Sequence, residues 1–164
     1  MASQNASRIL EEILLLHKSM NRIAKQKSDA VIKGDIEALK SVLSKEKLHI
    51  KAIDQKNREM REISAALLSG GGDIVNDPTL SAVIAVSAGN EKMNLSRLKV
   101  ELETEISELA HQNKLNQQLL EQSLDFIHLT MDLIQPDPNS YTYGHPQDSP
   151  QSVQRGQSIF DSKA

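Results

Sequence analysis

Apolar residues recur in steps of three and four along most of the first 135 positions, which restricts this chain to α-helices packed along narrow seams. From 4 to 33 the seam reads Ile9, Ile13, Leu16, Met20, Ile23 and Ala30, with Lys27 at one seam position; Leu10, Leu14 and Leu15 widen its first half. Gly34 breaks the pattern, Asp35 supplies an N-cap oxygen and Glu37 lies in the favourable first turn. A second helix follows over 36–68, with a predicted seam of Ile36, Leu39, Leu43, Glu46, Ile50, Ile53, Asn57, Met60, Ser64 and Leu67. So short a connection predicts an antiparallel hairpin. Such narrow seams suit the side-chain inventory. With no Trp, two Phe and two Tyr, the core must be built from Leu, Ile, Val, Met and Ala, the residues of a slender bundle.

Ser69-Gly70-Gly71-Gly72 ends the second helix. A phosphate-cradling loop needs a preceding strand and a following Gly-Lys-Ser/Thr, both missing here, so the glycines read as a linker. Asp77-Pro78 predicts a helix start, with Asp as cap and Pro at the first position, and a short helix over 78–88. Gly89-Asn90 interrupts it, and a long helix over 90–135 begins its seam with Leu95, Leu98, Leu102, Ile106 and Leu109. From His111 to Gln118 only Leu115 is apolar. This stretch reads as a polar layer that sets register, the rival reading being a weak point where the helix bends or detaches. Apolar density then rises. Leu120, Leu124, Ile127, Met131 and Ile134 form one stripe, and Leu119, Phe126 and Leu133 a second, with Leu129 beside it. Two stripes on one helix mean two partners.

Gln135-Pro136-Asp137-Pro138 stops the helix, since proline lacks the amide proton and clashes with the preceding turn. The remainder, 136–164, is rich in Pro, Gln and Ser and is predicted to be a disordered tail with two short apolar islands, Tyr141-Thr142-Tyr143-Gly144 and Ile159-Phe160. The expected fold is thus all-α: an antiparallel bundle of three long helices over 1–135, one short extra helix, and the tail.

The net charge of −3 gives no general attraction to nucleic acid, and no basic amphipathic face of the membrane-binding type stands out. The charge is uneven, with six basic and three acidic groups in 1–33 against four basic and eight acidic in 90–134. Elements of opposite sign are predicted to lie side by side. There is no cysteine, no signal-peptide core at the N-terminus and no apolar run of membrane-spanning length, which points to the cytoplasm and to no membrane insertion.

The best case for catalysis is a pair of Glu-x-x-His motifs, Glu46–His49 and Glu108–His111, a pattern that helical bundles use to bind two metals. The other ligands are missing. The matching layer of the first helix offers Lys18, Arg22 and Lys25, the wrong charge for a metal and the right charge to pair with Glu46. His17, His128 and His145 have no nucleophile or carboxylate pattern around them. No metal, no cofactor and no enzymatic activity are expected.

The run Asn116-Gln117-Gln118-Leu119-Leu120-Glu121-Gln122-Ser123-Leu124-Asp125-Phe126-Ile127, then Leu133-Ile134, Tyr143-Gly144 and the terminal Ser158-Ile159-Phe160-Asp161-Ser162-Lys163-Ala164, resembles the FlgN family of flagellar export chaperones. The turn segment Lys33-Gly34-Asp35-Ile36-Glu37-Ala38-Leu39 resembles the family as well, so the likeness covers most of the chain outside 70–89. It implies a cytoplasmic chaperone that binds the C-terminal helical region of hook-associated proteins, prevents their early assembly and delivers them to the flagellar type III export gate. It implies that Leu119, Leu120, Leu124, Phe126, Ile127, Met131, Leu133 and Ile134 take the substrate. It also implies that a tyrosine beyond the helix docks at the gate; Tyr143 beside Gly144 matches best, with Tyr141 as the alternative. The competing reading is a structural coiled-coil subunit whose seams drive self-assembly, and a homodimer is left open.

Overall fold

The structure, a computed structural model, describes residues 2–69 and 78–134. It contains four helices, α1 (Ala2–Lys33), α2 (Ile36–Leu68), α3 (Leu80–Val86) and α4 (Gly89–Ile134), and no strand among the described residues. The glycine linker, the expected Asp77 cap, Gln135 and the whole tail, including Tyr141, Tyr143, Gly144, Ile159 and Phe160, lie outside them. The chain divides into two compact units, Met1–His128 and Leu129–Ala164.

The turn between α1 and α2 follows from three residues. Gly34 adopts φ 65°, a left-handed conformation that costs glycine nothing. The Gly34 amide donates to Val31 O (3.1 Å) and the Asp35 amide to Ala30 O (3.0 Å), the two bonds of a Schellman ending. Asp35 then caps α2 by accepting from the Ala38 amide at 2.9 Å. From the turn the helices run antiparallel, as shown by Lys27–Glu46 (2.6 Å), Ser19–His49 (2.8 Å) and Glu12–Lys56 (2.8 Å), whose α2 numbers rise as their α1 numbers fall. At α3 the cap is Thr79, whose hydroxyl accepts from the Ala82 amide, and Pro78 precedes the helix rather than opening it.

The dry core sits at the end of the bundle away from this turn. It joins Ala6, Ile9, Leu10, Ile13 and Leu14 of α1 to Met60 of α2, Val83 of α3, and Leu95 and Leu98 of α4. The short helix α3 plugs this end, with Val83 fully buried.

Toward the turn the packing becomes polar. Partners on α1 and α4 rise together: Lys18–Glu101, Asn21–Glu105, Lys25–Glu108, Ser28–Asn116. The basic α1 and acidic α4 thus lie side by side. Asn21, buried, donates both to the Glu105 carbonyl (3.0 Å) and to its carboxylate (2.6 Å). The Ser28 hydroxyl donates to Asn116 Oδ1, Asn116 Nδ2 donates to Ala24 O (2.8 Å), and Gln112 Nε2 donates to Ser28 Oγ (2.7 Å). The amide-rich stretch of α4 is therefore a hydrogen-bonded layer that pins α4 to α1, as the register reading expects.

Two seams differ from expectation by one position. On α2 the covered line passes through Leu39, Val42, Glu46, His49, Ile53, Lys56 and Met60, while Ile36, Leu43 and Ile50 are exposed. On α4 Glu105 takes the inward place and Ile106 is 46% exposed. The reason is shared: charged and hydroxyl partners claim interface positions that periodicity alone assigns to aliphatic residues.

Candidate functional site

The inward line of α4 runs by heptad steps through Leu95, Leu98, Leu102, Glu105, Leu109, Gln112 and Asn116, and the same steps lead on to Leu119, Ser123 and Phe126. Leu119 and Ser123 stay half-buried, but Leu120, Leu124 and Ile127, one position round from that line, are 38%, 55% and 51% exposed, against 0%, 1% and 2% at Leu95, Leu98 and Asn116. Register explains the change. Asn116 lies against Ser28. Five residues further on each helix, Lys33 is level with Glu121, and there α1 ends. From that level to His128, α4 continues for about 10 Å at 1.5 Å per residue with its apolar face unsupported by α1. Phe126, at the end of the heptad line itself, is 69% exposed.

A cleft of 620 Å³ forms where α4 passes the turn. Ala30, Val31 and Ile32 of α1, with Ile36 and Leu39 of α2, line one side; Leu119, Leu120, Leu124, Phe126 and Ile127 line the other. Its walls are mostly apolar, with Lys33, Gln122 and Ser123 the polar side chains among them, and it opens to solvent. A cleft of this kind takes an apolar helix face; it holds no converging polar groups that could orient a small molecule for chemistry. Periodicity finds the α4 wall and puts Ala30, Ile36 and Leu39 of the hairpin wall on seams, as core residues rather than as a site. Ile32 stands off the α1 seam and was missed; its signal was an isoleucine at a helix end with no seam partner. In the second unit, Leu129, Met131, Leu133 and Ile134 at the end of α4 are all more than half exposed.

The alternative site, the two Glu-x-x-His motifs, is taken apart by the packing. Glu46 accepts from Lys27, not from Lys18, Arg22 or Lys25; Lys18 pairs with Glu101, and Lys25 pairs with Glu108. His49 shares a hydrogen bond with Ser19. Among the described residues no three His, Asp or Glu side chains are grouped to hold a metal. The depression beside His111 is lined by α4 alone, through Val100, Glu103, Thr104, Ser107, Glu108 and His111, so it has no opposing wall. His17 is a core histidine, its Nδ1 2.9 Å from the carbonyl of Ile13 one turn earlier. No described helix is long and apolar enough to cross a membrane.

Taken together, the described residues form an all-helical scaffold pinned by a polar layer, with one helix end presenting an uncovered aliphatic face. The FlgN family model, described as FlgN protein, matches residues 1–151, and the chain belongs to this family of flagellar export chaperones. It is also similar to the uncharacterized protein YvyG of Bacillus subtilis (strain 168), with 28% identity over 155 residues that cover 94% of each chain. No solved structure matches it.

Proposed function

We propose that this chain is a cytoplasmic export chaperone that seats the C-terminal helical region of hook-associated proteins against the end of α4, and later yields them at the flagellar type III export gate. The observation carrying this reading is the aliphatic stripe of Leu120, Leu124 and Ile127, 38%, 55% and 51% exposed, at the open edge of a mostly apolar cleft. An aliphatic stripe left open beside a mostly apolar cleft is an aggregation liability unless a partner helix covers it. Laying an amphipathic helix there hides that helix from its own assembly partners at the same time.

Within Met1–His128 the proposed site is Leu119, Leu120, Leu124, Phe126 and Ile127, with the turn residues Ile32, Ile36 and Leu39 as the opposite wall; in the second unit, Met131, Leu133 and Ile134 are proposed to contact the client as well. We read the scaffold as an antiparallel bundle of three long helices with α3 as a plug. Tyr143 with Gly144, or else Tyr141, is proposed for the gate. Amide hydrogen exchange tests the seat. Adding a client's C-terminal helical fragment should slow exchange at 119–127 together with side-chain shifts at 32–39. Protection confined to 9–14 and 95–98 would refute the assignment.

The self-assembling coiled-coil reading has one observation in its favour, the exposed heptad line of Ile36, Leu43 and Ile50 on α2.

A further inference from the structure

The stripe of Leu120, Leu124 and Ile127 is bordered by charge of opposite sign on its two sides. At about 100° per residue, Leu119 and Ser123 lie on the hairpin side of α4, the stripe comes next, and Glu121 and Asp125 lie beyond it, turned away from the hairpin. The half-burial of Leu119 and Ser123 and the exposure of Glu121 and Asp125 agree with that order. From 115 to 128 the chain has no Lys or Arg. Glu121 accepts from the neutral Gln117 amide at 3.0 Å, and neither carboxylate meets a cation among the described residues. Elsewhere the chain neutralises exposed acids one turn away, Glu101 with Arg97 and Asp54 with Arg58. Across the cleft, the one charged side chain of the lining is Lys33, which is exposed.

We infer that the helix seated on this stripe carries Lys or Arg along its outer flank, and that Glu121 and Asp125 select it by that charge. The inference rests on the client seat proposed above and adds what kind of helix the seat prefers. Apolar contact with the stripe is open to any amphipathic helix, so it supplies affinity with little choice. Two carboxylates one turn apart beside the stripe add the choice. They attract a basic flank and set an acidic one against like charge. Lys33 disfavours the same basic residues on the flank toward the hairpin, so the charge reading is one-sided. A metal ion is a poorer occupant, because two exposed carboxylates supply too few ligands and no third joins them among the described residues.

Fluorescence anisotropy with two labelled helical peptides of about 20 residues tests it. Both peptides carry the same stripe of Leu and Ile; one has Lys along one flank, the other Glu in the same places. The full chain should bind the Lys peptide about tenfold or more tightly at about 0.1 M salt. The ratio should shrink at about 1 M, where charges are screened beyond about 3 Å. Glu121→Lys with Asp125→Lys should abolish or invert the preference. Glu11→Lys with Glu62→Lys makes the same change in net charge at exposed sites on α1 and α2 and should preserve it. Circular dichroism should show helix content unchanged in both variants. Equal affinity for the two peptides overturns the inference, as does a preference that survives reversal at 121 and 125 or is lost on reversal at 11 and 62. In those cases the seat itself stands if Leu124→Asp with Ile127→Asp abolishes binding of both peptides. Binding of neither peptide, or undiminished binding of both by that variant, removes the seat and the inference with it.

Discussion

Single residues fix the geometry of this molecule at a few places. Gly34 holds φ 65° with open space where a Cβ would go, so the cost of a side chain there is conformational rather than steric. Gly34→Ala should lower stability by about 1–2 kcal/mol, measured by chemical denaturation, with α1 and α2 otherwise intact. Asn116 is the buried centre of the polar layer. Asn116→Ala removes both bonds from Asn116 to α1 and leaves the Ser28 hydroxyl only the longer contact with Ala24 O (3.4 Å), and the expected loss is about 1–3 kcal/mol. An unchanged denaturation midpoint would show that the layer does not hold α4 to α1. Exposed ion pairs act more weakly. The hydrogen bond from Arg97 holds Glu101 below the ordinary carboxylate value of 4.5, and Lys56 does the same for Glu59. A depressed carboxylate stabilises the fold above its unfolded value and gives that up as pH falls through the folded one. Lys56, raised above 10.5 chiefly by its hydrogen bond to Glu12, gives up its share only as pH rises through the raised value. The melting temperature should therefore be flat around neutrality and fall gradually below pH 4.5, by a small amount because these groups are solvated.

At the scale of elements, much was legible in the sequence. The Gly34-Asp35 stop and cap, the dry seam of Ile9, Ile13, Leu95 and Leu98, and the polar layer at Gln112 and Asn116 all follow from periodicity and capping chemistry. The face of α2 did not. Leu43 and Ile50 look like core residues on heptad spacing. Val42 and His49 displace them because Ser19, Lys27 and Glu12 of α1 select hydrogen-bonding partners across the interface. Asp77 was a credible cap, yet Thr79 caps α3 two positions later. The pairing of the two walls of the candidate cleft was also beyond periodicity. Ile32 and Ile36 flank a turn, and only folding brings them opposite Leu120 and Ile127. Burial predicts how each element responds to substitution. Leu10→Ala and Leu95→Ala remove buried side chains from the dry core and should each cost about 2–5 kcal/mol. Leu124→Asp with Ile127→Asp alters exposed positions and should change stability by no more than about 0.5 kcal/mol per site, leaving helix content unchanged.

The whole molecule divides its labour along its length. One end is dry and closed by α3; the middle is pinned by hydrogen bonds; the far end leaves α4 running past the hairpin with its aliphatic face in solvent. A chain optimised only for stability would stop α4 where α1 stops. Continuing the apolar face beyond that level fits the proposed seat for a client helix. The central claim is that this open end is where a client sits. Mixing the full chain with the C-terminal helical fragment of a hook-associated protein, and passing the mixture over a sizing column with light-scattering detection, tests it most directly. The account predicts a complex of defined mass that disappears when Leu124 and Ile127 are changed to Asp. A complex of undiminished strength with that variant, or no complex with the unaltered chain, would contradict it.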